Sequence, residues 1–184
     1  MKAIILIIAS WFCCAGVCAD GGIWDSGLAG RWYPGTRAEL EAELRGFMDK
    51  AGKGGGGEVY GLILPHAGYR YSGQVAAKGL AACGDQRFDR IIIMGPSHRG
   101  LPDNRICIPE GEGCRTPLGE VRFDLAALKA LSAHDFVIAS DRAHMAEHSV
   151  EIMYPLLQYV FKDFKVVPVI VGRLDAQTLE RVSA

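Results

Sequence analysis

Two stretches, Gly61-Leu-Ile-Leu-Pro-His66-Ala-Gly-Tyr69 and Arg90-Ile-Ile-Ile-Met-Gly-Pro-Ser-His98-Arg99, share one pattern: an aliphatic run closed by Pro or Gly, then a histidine. Short apolar runs rich in β-branched residues predict buried parallel strands. Between them, Gln74-Val-Ala-Ala-Lys-Gly-Leu-Ala-Ala82 reads as a short helix, which makes the whole a βαβ unit with a right-handed crossover. Ligands of open α/β sheets gather at strand ends. His66 and His98 are therefore expected to face one cavity, and paired imidazoles point to a metal or to acid/base chemistry.

Outward from this unit, the rest of the chain predicts a single α/β domain with a mostly parallel sheet flanked by helices. At 184 residues it has room for one proper core. Thr36 and Glu39 form a capping box for a helix whose Leu40, Leu44, Phe47 and Met48 share one face. Gly52 to Gly57 lacks the Gly-Lys-Ser/Thr ending of a phosphate-binding loop and reads as a connector. Asp124 caps a helix over Leu125 to Leu131, Phe136 to Ala139 reads as a strand, and Arg115 to Gly119 as a turn between two extended pieces. Ser149 is expected to cap a helix running to Phe161 and kinked at Pro155; Lys165 to Gly172 is a further strand, and Asp175 caps the last helix.

The net charge of −1 gives no basic footprint for nucleic acid. Residues 1–19, with Lys2, an apolar run to Phe12 and Val17-Cys-Ala19, have the form of a secretory signal, leaving residues 20–184 as the mature domain. The unbroken apolar run is shorter than the roughly 20 residues of a spanning helix, so no stable membrane span is expected in the mature chain. Export, periplasmic or extracellular, is the expected location; Val17, where a small residue normally precedes a lipidated cysteine, disfavours a lipoprotein. In such a compartment Cys107 and Cys114 could pair across a loop, or these two and Cys83 could be buried thiols.

Among the remaining candidates, Glu147 reads as a third metal ligand, a general base or a helix-capping carboxylate. His148 reads as an acid/base group beside the metal. Tyr69 would line the cavity, and Arg70 is either solvated or an anchor for an anionic substrate. His134 and His144 lie in polar surroundings and are expected at the surface. Ser97 lacks a nucleophile elbow and is not expected to attack. Imidazole suits zinc, iron, copper or nickel alike.

Together, Pro65-His-Ala-Gly-Tyr-Arg-Tyr-Ser-Gly73, Gly95-Pro-Ser-His-Arg99, Thr116-Pro-Leu-Gly119 and Glu147-His-Ser-Val-Glu151 resemble the Memo family, also called AmmeMemoRadiSam system protein B. The likeness runs from about Ala29 to the end of the chain. It implies a fold related to class III extradiol dioxygenases, with a metal at the strand ends held by His66 and His98. Iron or copper is the implied ion, with zinc an alternative. The family's third histidine follows the last strand seen here, so the resemblance implies a missing C-terminal part or a site closed by Glu147, His148 or a partner chain. A dioxygenase-like redox enzyme acting on a small molecule is the leading expectation. A non-catalytic metal- or partner-binding module and a metal-dependent hydrolase are the alternatives.

Overall fold

A computed structural model describes residues 22–54 and 57–183. The signal-like segment and Gly55-Gly56 of the connector lie outside the described residues. The chain folds as an α/β unit with two sheets. The larger is built from β2 (Arg90–Pro96), β7 (Lys165–Val171), β3 (Ile106–Ile108) and β6 (Val137–Ala139), in the order β2-β7-β3-β6. β2 runs parallel to β7 along its whole length, from Arg90 opposite Lys165 to Pro96 opposite Val171; β3 is antiparallel to β7 and parallel to β6. The smaller sheet has β4 (Gly113–Thr116) at its centre, parallel to β1 (Ile23–Asp25) and antiparallel to β5 (Gly119–Arg122). Three of the five strand pairings are thus parallel. The predicted turn at Pro117-Leu118 closes the β4–β5 hairpin, with Gly119 at φ 120°, a backbone region that L side chains rarely adopt.

Local chemistry explains most helix boundaries. Thr36 caps α1 (Arg37–Ala51), its Oγ1 accepting from the Glu39 amide while its hydroxyl donates to the Glu39 carboxylate at 2.7 Å. Leu40 and Leu44 bury completely against the core. α1 packs on α2 (Tyr69–Ala81), where Gly73 is required by contact: a Cβ there would lie 2.5 Å from the Phe47 ring. Asp124 caps α3 (Leu125–Leu131) through the Ala127 amide, and Asp175 caps α6 (Ala176–Ser183) through that of Thr178.

Several expectations are corrected. Gly61 to Leu64 is not a strand, so the βαβ unit is not formed among the described residues. Tyr60 and Ile63 stand in solvent, at 88% and 103% exposure, because no strand edge bonds to this stretch and no layer covers it. β2 is likewise not fully buried. It is an edge strand, with Ile93 and Gly95 turned to the core and Ile92 and Met94 to solvent. β7, flanked on both sides, is the strand that buries as a continuous apolar run. The helix expected from Ser149 to Phe161 splits into a 3-10 turn, Glu151–Met153, and α5 (Tyr154–Val160). Pro155 sits in the first turn of α5, where its missing N–H costs no helical bond. Cys83, Cys107 and Cys114 are separate buried thiols; the Cys107–Cys114 bridge is not made.

Candidate metal centre

Three chain segments meet at one end of the large sheet. β2 delivers His98 just past Pro96, and the Ser97 amide is held by the Val171 carbonyl of β7. The loop before α2 delivers His66. The third segment follows α4 (Asp141–Ala146), where the chain turns extended at Glu147 and brings His148 alongside. Ser149 Oγ donates to the Pro96 carbonyl at 2.9 Å and ties this turn to the end of β2. That contact needs Gly95: a Cβ there would fall 2.4 Å from Ser149 Oγ.

The imidazoles of His66, His98 and His148 each present a ring nitrogen, and these three atoms lie within 4.8 Å of one another. The His98 and His148 rings stack at 4.3 Å between centroids, and Trp32 covers the other side of His148 at 4.4 Å. His66 completes the group, 5.3 Å from His98 and 5.9 Å from His148.

Behind the rings, Glu147 is buried and accepts from everything around it. The His98 amide donates at 2.6 Å, the His148 amide at 2.8 Å and the Ser149 amide at 3.1 Å. His98 Nδ1 lies 2.9 Å from Glu147 Oε1, and His148 Nδ1 lies 3.2 Å from the same oxygen. With its Nδ1–H committed to the carboxylate, His98 keeps the Nε2 lone pair free, the usual device by which a carboxylate orients a metal-binding imidazole. Burial alone would raise the Glu147 pKa, but these donors outweigh it and bring it down to about 2. The carboxylate is an anion across the whole neutral range.

Burial lowers the pKa of His66, with His98 adding to the effect and Glu147 opposing it. Burial also lowers that of His148, against the pull of Glu147. Both shifts favour the neutral imidazole, the form that binds metals.

Four of the expected residues are thus brought together. His66 and His98 converge as expected. His148, expected as an acid/base group, stands with them, its ring nitrogen within 4.8 Å of theirs, while Glu147, expected as a ligand, a general base or a capping carboxylate, lies behind two of the rings. Tyr69 lies outside the imidazole cluster. It is 2% exposed and packs against Tyr33 and Phe47, and burial pushes its phenol well above its ordinary pKa. His144 is corrected from surface to core: it is 4% exposed, with Nε2 bonded to the Cys107 carbonyl at 3.1 Å. His134 is exposed and stacks on Phe136, as its setting suggested.

The family profile for Memo-like proteins matches residues 25–184. The chain belongs to the Memo family. It is 36% identical over 157 residues to a MEMO1 family protein of Methanobrevibacter smithii, a match covering 79% of this chain and 55% of that relative. A MEMO1 family protein of Aeropyrum pernix gives the same identity over 155 residues, 78% of this chain and 55% of the relative. One from Saccharolobus islandicus is 44% identical over 122 residues, 65% of this chain and 42% of the relative. This Memo chain therefore spans about half the length of the curated relatives it matches. No helix among its described residues is long and apolar enough to cross a membrane.

Proposed function

We propose that this Memo-family chain binds one transition-metal ion, iron or copper, through His66, His98 and His148, and uses it in dioxygenase-like redox chemistry on a small-molecule substrate. The observation that carries the reading is the three-imidazole cluster backed by the buried Glu147. The donor set fits a metal. Nitrogens bound at about 2.0–2.1 Å to one tetrahedral ion stand about 3.4 Å apart, so the present separations, within 4.8 Å, close with an adjustment of an ångström or so.

An ion of this kind would supply electron transfer and polarisation of a substrate oxygen. The chain's own contributions are separate. Glu147 fixes the ring orientation of His98 and places a full negative charge behind both His98 and His148. Trp32 shields one face of His148. Three protein ligands leave coordination positions open to substrate, and the half-exposed His98 side puts them within reach of solvent. Tyr69, sealed in the core, is assigned no part.

Metal content measured after anaerobic loading with iron or copper tests the reading. The expected result is about one equivalent in the wild type and loss in His66→Ala, His98→Ala and His148→Ala, each still folded by circular dichroism. Absence of metal from the wild type, or its retention in all three variants, refutes it. The leader-like residues 1–19 support export as a further part of the proposal. Recovery from the periplasm of a chain shortened at Ala19 is the expected outcome, and retention of the full-length chain in the cytoplasm would refute it.

A further inference from the structure

The three imidazoles are not held alike. His98 Nδ1 is bonded to Glu147 at 2.9 Å, whereas the His148 ring makes no hydrogen bond among the described residues, although its Nδ1 lies 3.2 Å from the same carboxylate. The last torsion of a histidine side chain has broad, shallow wells, so something else must fix this ring. Stacking does so: His148 lies between Trp32, at 4.4 Å and 33°, and His98, at 4.3 Å and 28°. Where its nitrogens point therefore depends on where Trp32 is held.

Trp32 belongs to a tight turn. The Arg31 and Trp32 amides donate to the Leu28 carbonyl at 3.0 and 2.9 Å, and the Gly30 amide donates to the Tyr33 carbonyl at 2.8 Å, with Gly30 at φ 74°. The turn is seated from two sides. Toward His66, the Trp32 carbonyl accepts from the Tyr69 amide at 2.9 Å. Toward His148 the seat is Glu151, three residues further along the chain and 4% exposed. Glu151 Oε1 accepts from the Leu28 amide at 3.0 Å and from the Ser26 hydroxyl at 2.5 Å. Because Ser26 donates there, the Tyr33 hydroxyl, 2.5 Å from Ser26 Oγ, donates to Ser26. One carboxylate thus anchors both ends of the turn, Leu28 and Tyr33. The Ile152 amide, next in the chain after Glu151, donates to the His148 carbonyl at 3.1 Å, which closes the path back to the imidazole. A buried carboxylate persists only where donors answer it, and these donors come from the segment that carries Trp32.

We infer that Glu151 is a positioning residue for the imidazole cluster: it holds the Leu28–Tyr33 turn so that Trp32 stacks on His148 and fixes the direction of that ring's nitrogens. Glu147 and Glu151 then divide the work, the first orienting His98 by a hydrogen bond and the second orienting His148 through an aromatic wall. The consequence for ion binding rests on the metal-binding reading above, whereas the orientation of the ring does not.

Histidine ring resonances of the full chain, read by NMR with chelator present and assigned with His148→Gln, test the orientation, and titration with iron or copper tests its consequence. In the wild type the His148 ring protons are expected upfield, shifted by the Trp32 ring current. The shift should be lost in Glu151→Ala and in Trp32→Leu, and both should bind the ion about 10- to 100-fold more weakly at unchanged one-to-one stoichiometry. Trp32→Phe keeps a ring at the site and should recover most of that loss. Leu44→Ala, destabilised in the core, should keep both the resonance and the affinity, which separates positioning from stability alone. A folded Glu151→Ala with the wild-type His148 resonance overturns the inference. If that variant does not fold, Ser26→Ala takes its place, since it removes the hydroxyl that joins Tyr33 to the carboxylate, and an unchanged resonance there overturns the inference equally. A wild type that takes up no ion overturns the metal reading, and the resonances still decide the role of Glu151.

Discussion

Replacing Glu147 with Gln tests the reasoning about the site where it is most quantitative. Gln keeps the shape of the side chain and mimics the protonated acid, so the variant removes the charge and little else. The carboxylate is nearly sealed from water, with 2% side-chain exposure, so solvent screening gives no reason to discount the shift in its pKa from 4.5 to about 2. At about 1.4 kcal/mol per unit, ionised Glu147 contributes about 3 kcal/mol to folding at pH 7. The sign follows from a folded-state pKa below the unfolded one. The contribution is complete above pH 4.5 and is lost as pH falls through about 2. The wild type should therefore exceed Glu147→Gln by about 3 kcal/mol at pH 7 and by only about 1.5 kcal/mol at pH 3. Urea unfolding followed by circular dichroism, with chelator present to exclude metal, measures both gaps. A gap below about 1 kcal/mol at pH 7, or one that widens on acidification, refutes the claim that four surrounding donors hold this carboxylate ionised. The same variant leaves His98 and His148 without a charged partner at Nδ1, and metal affinity should drop about 10- to 100-fold. Unchanged affinity would mean that the carboxylate does not orient the His98 ring.

Three further outcomes follow from other parts of the fold. Burial lowers the His144 pKa to about 4, so its contribution is complete above pH 6.5 and is lost toward pH 4; between pH 7.5 and 5 the wild type should lose about 2 kcal/mol that His144→Gln does not, as compared by chemical denaturation at the two pH values, and equal losses would contradict the burial of a neutral ring. Gly95→Ala places a Cβ 2.4 Å from Ser149 Oγ, so the turn carrying His148 must shift; a destabilisation of about 1–3 kcal/mol and weaker metal binding by titration are expected, and a fully stable variant with native affinity would deny the contact. Leu44→Ala, at a completely buried position far in sequence from the cluster, should cost about 2–5 kcal/mol while leaving one metal per chain, which separates loss of core packing from loss of the site when melting and metal content are read together.

The sequence made the elements with local signals legible. Thr36, Asp124 and Asp175 mark helix starts because capping is a matter of three or four neighbouring residues. The hairpin at Pro117-Leu118 and strand β7 were legible for similar reasons. What escaped was decided across the chain. An aliphatic run specifies a strand only where another edge and another layer receive it, and nothing within Gly61 to Leu64 says whether they do; β2 and β7 read alike, yet one is an edge and the other central. His144 sits among polar neighbours in sequence and is buried because α4 lays it against the Cys107 carbonyl of β3.

The placement of His148 beside the other imidazoles and of Glu147 behind them has the same origin. Adjacent residues on an extended backbone point to opposite sides, so one of the pair must face the cluster and the other must turn away, but composition alone does not say which. The decision lies in the amides. The His98 amide meets one carboxylate oxygen and those of His148 and Ser149 the other, and a carboxylate, with its two acceptor oxygens, answers all three donors at once. Glu147 therefore takes the inner position, and His148 is left beside His66 and His98. Three backbone donors thus select which of the two side chains joins the imidazole cluster. Any substitution that disperses them should disturb the site without touching an imidazole, which is why Gly95, three residues before His98 and close against Ser149, belongs to the imidazole cluster as much as to the sheet.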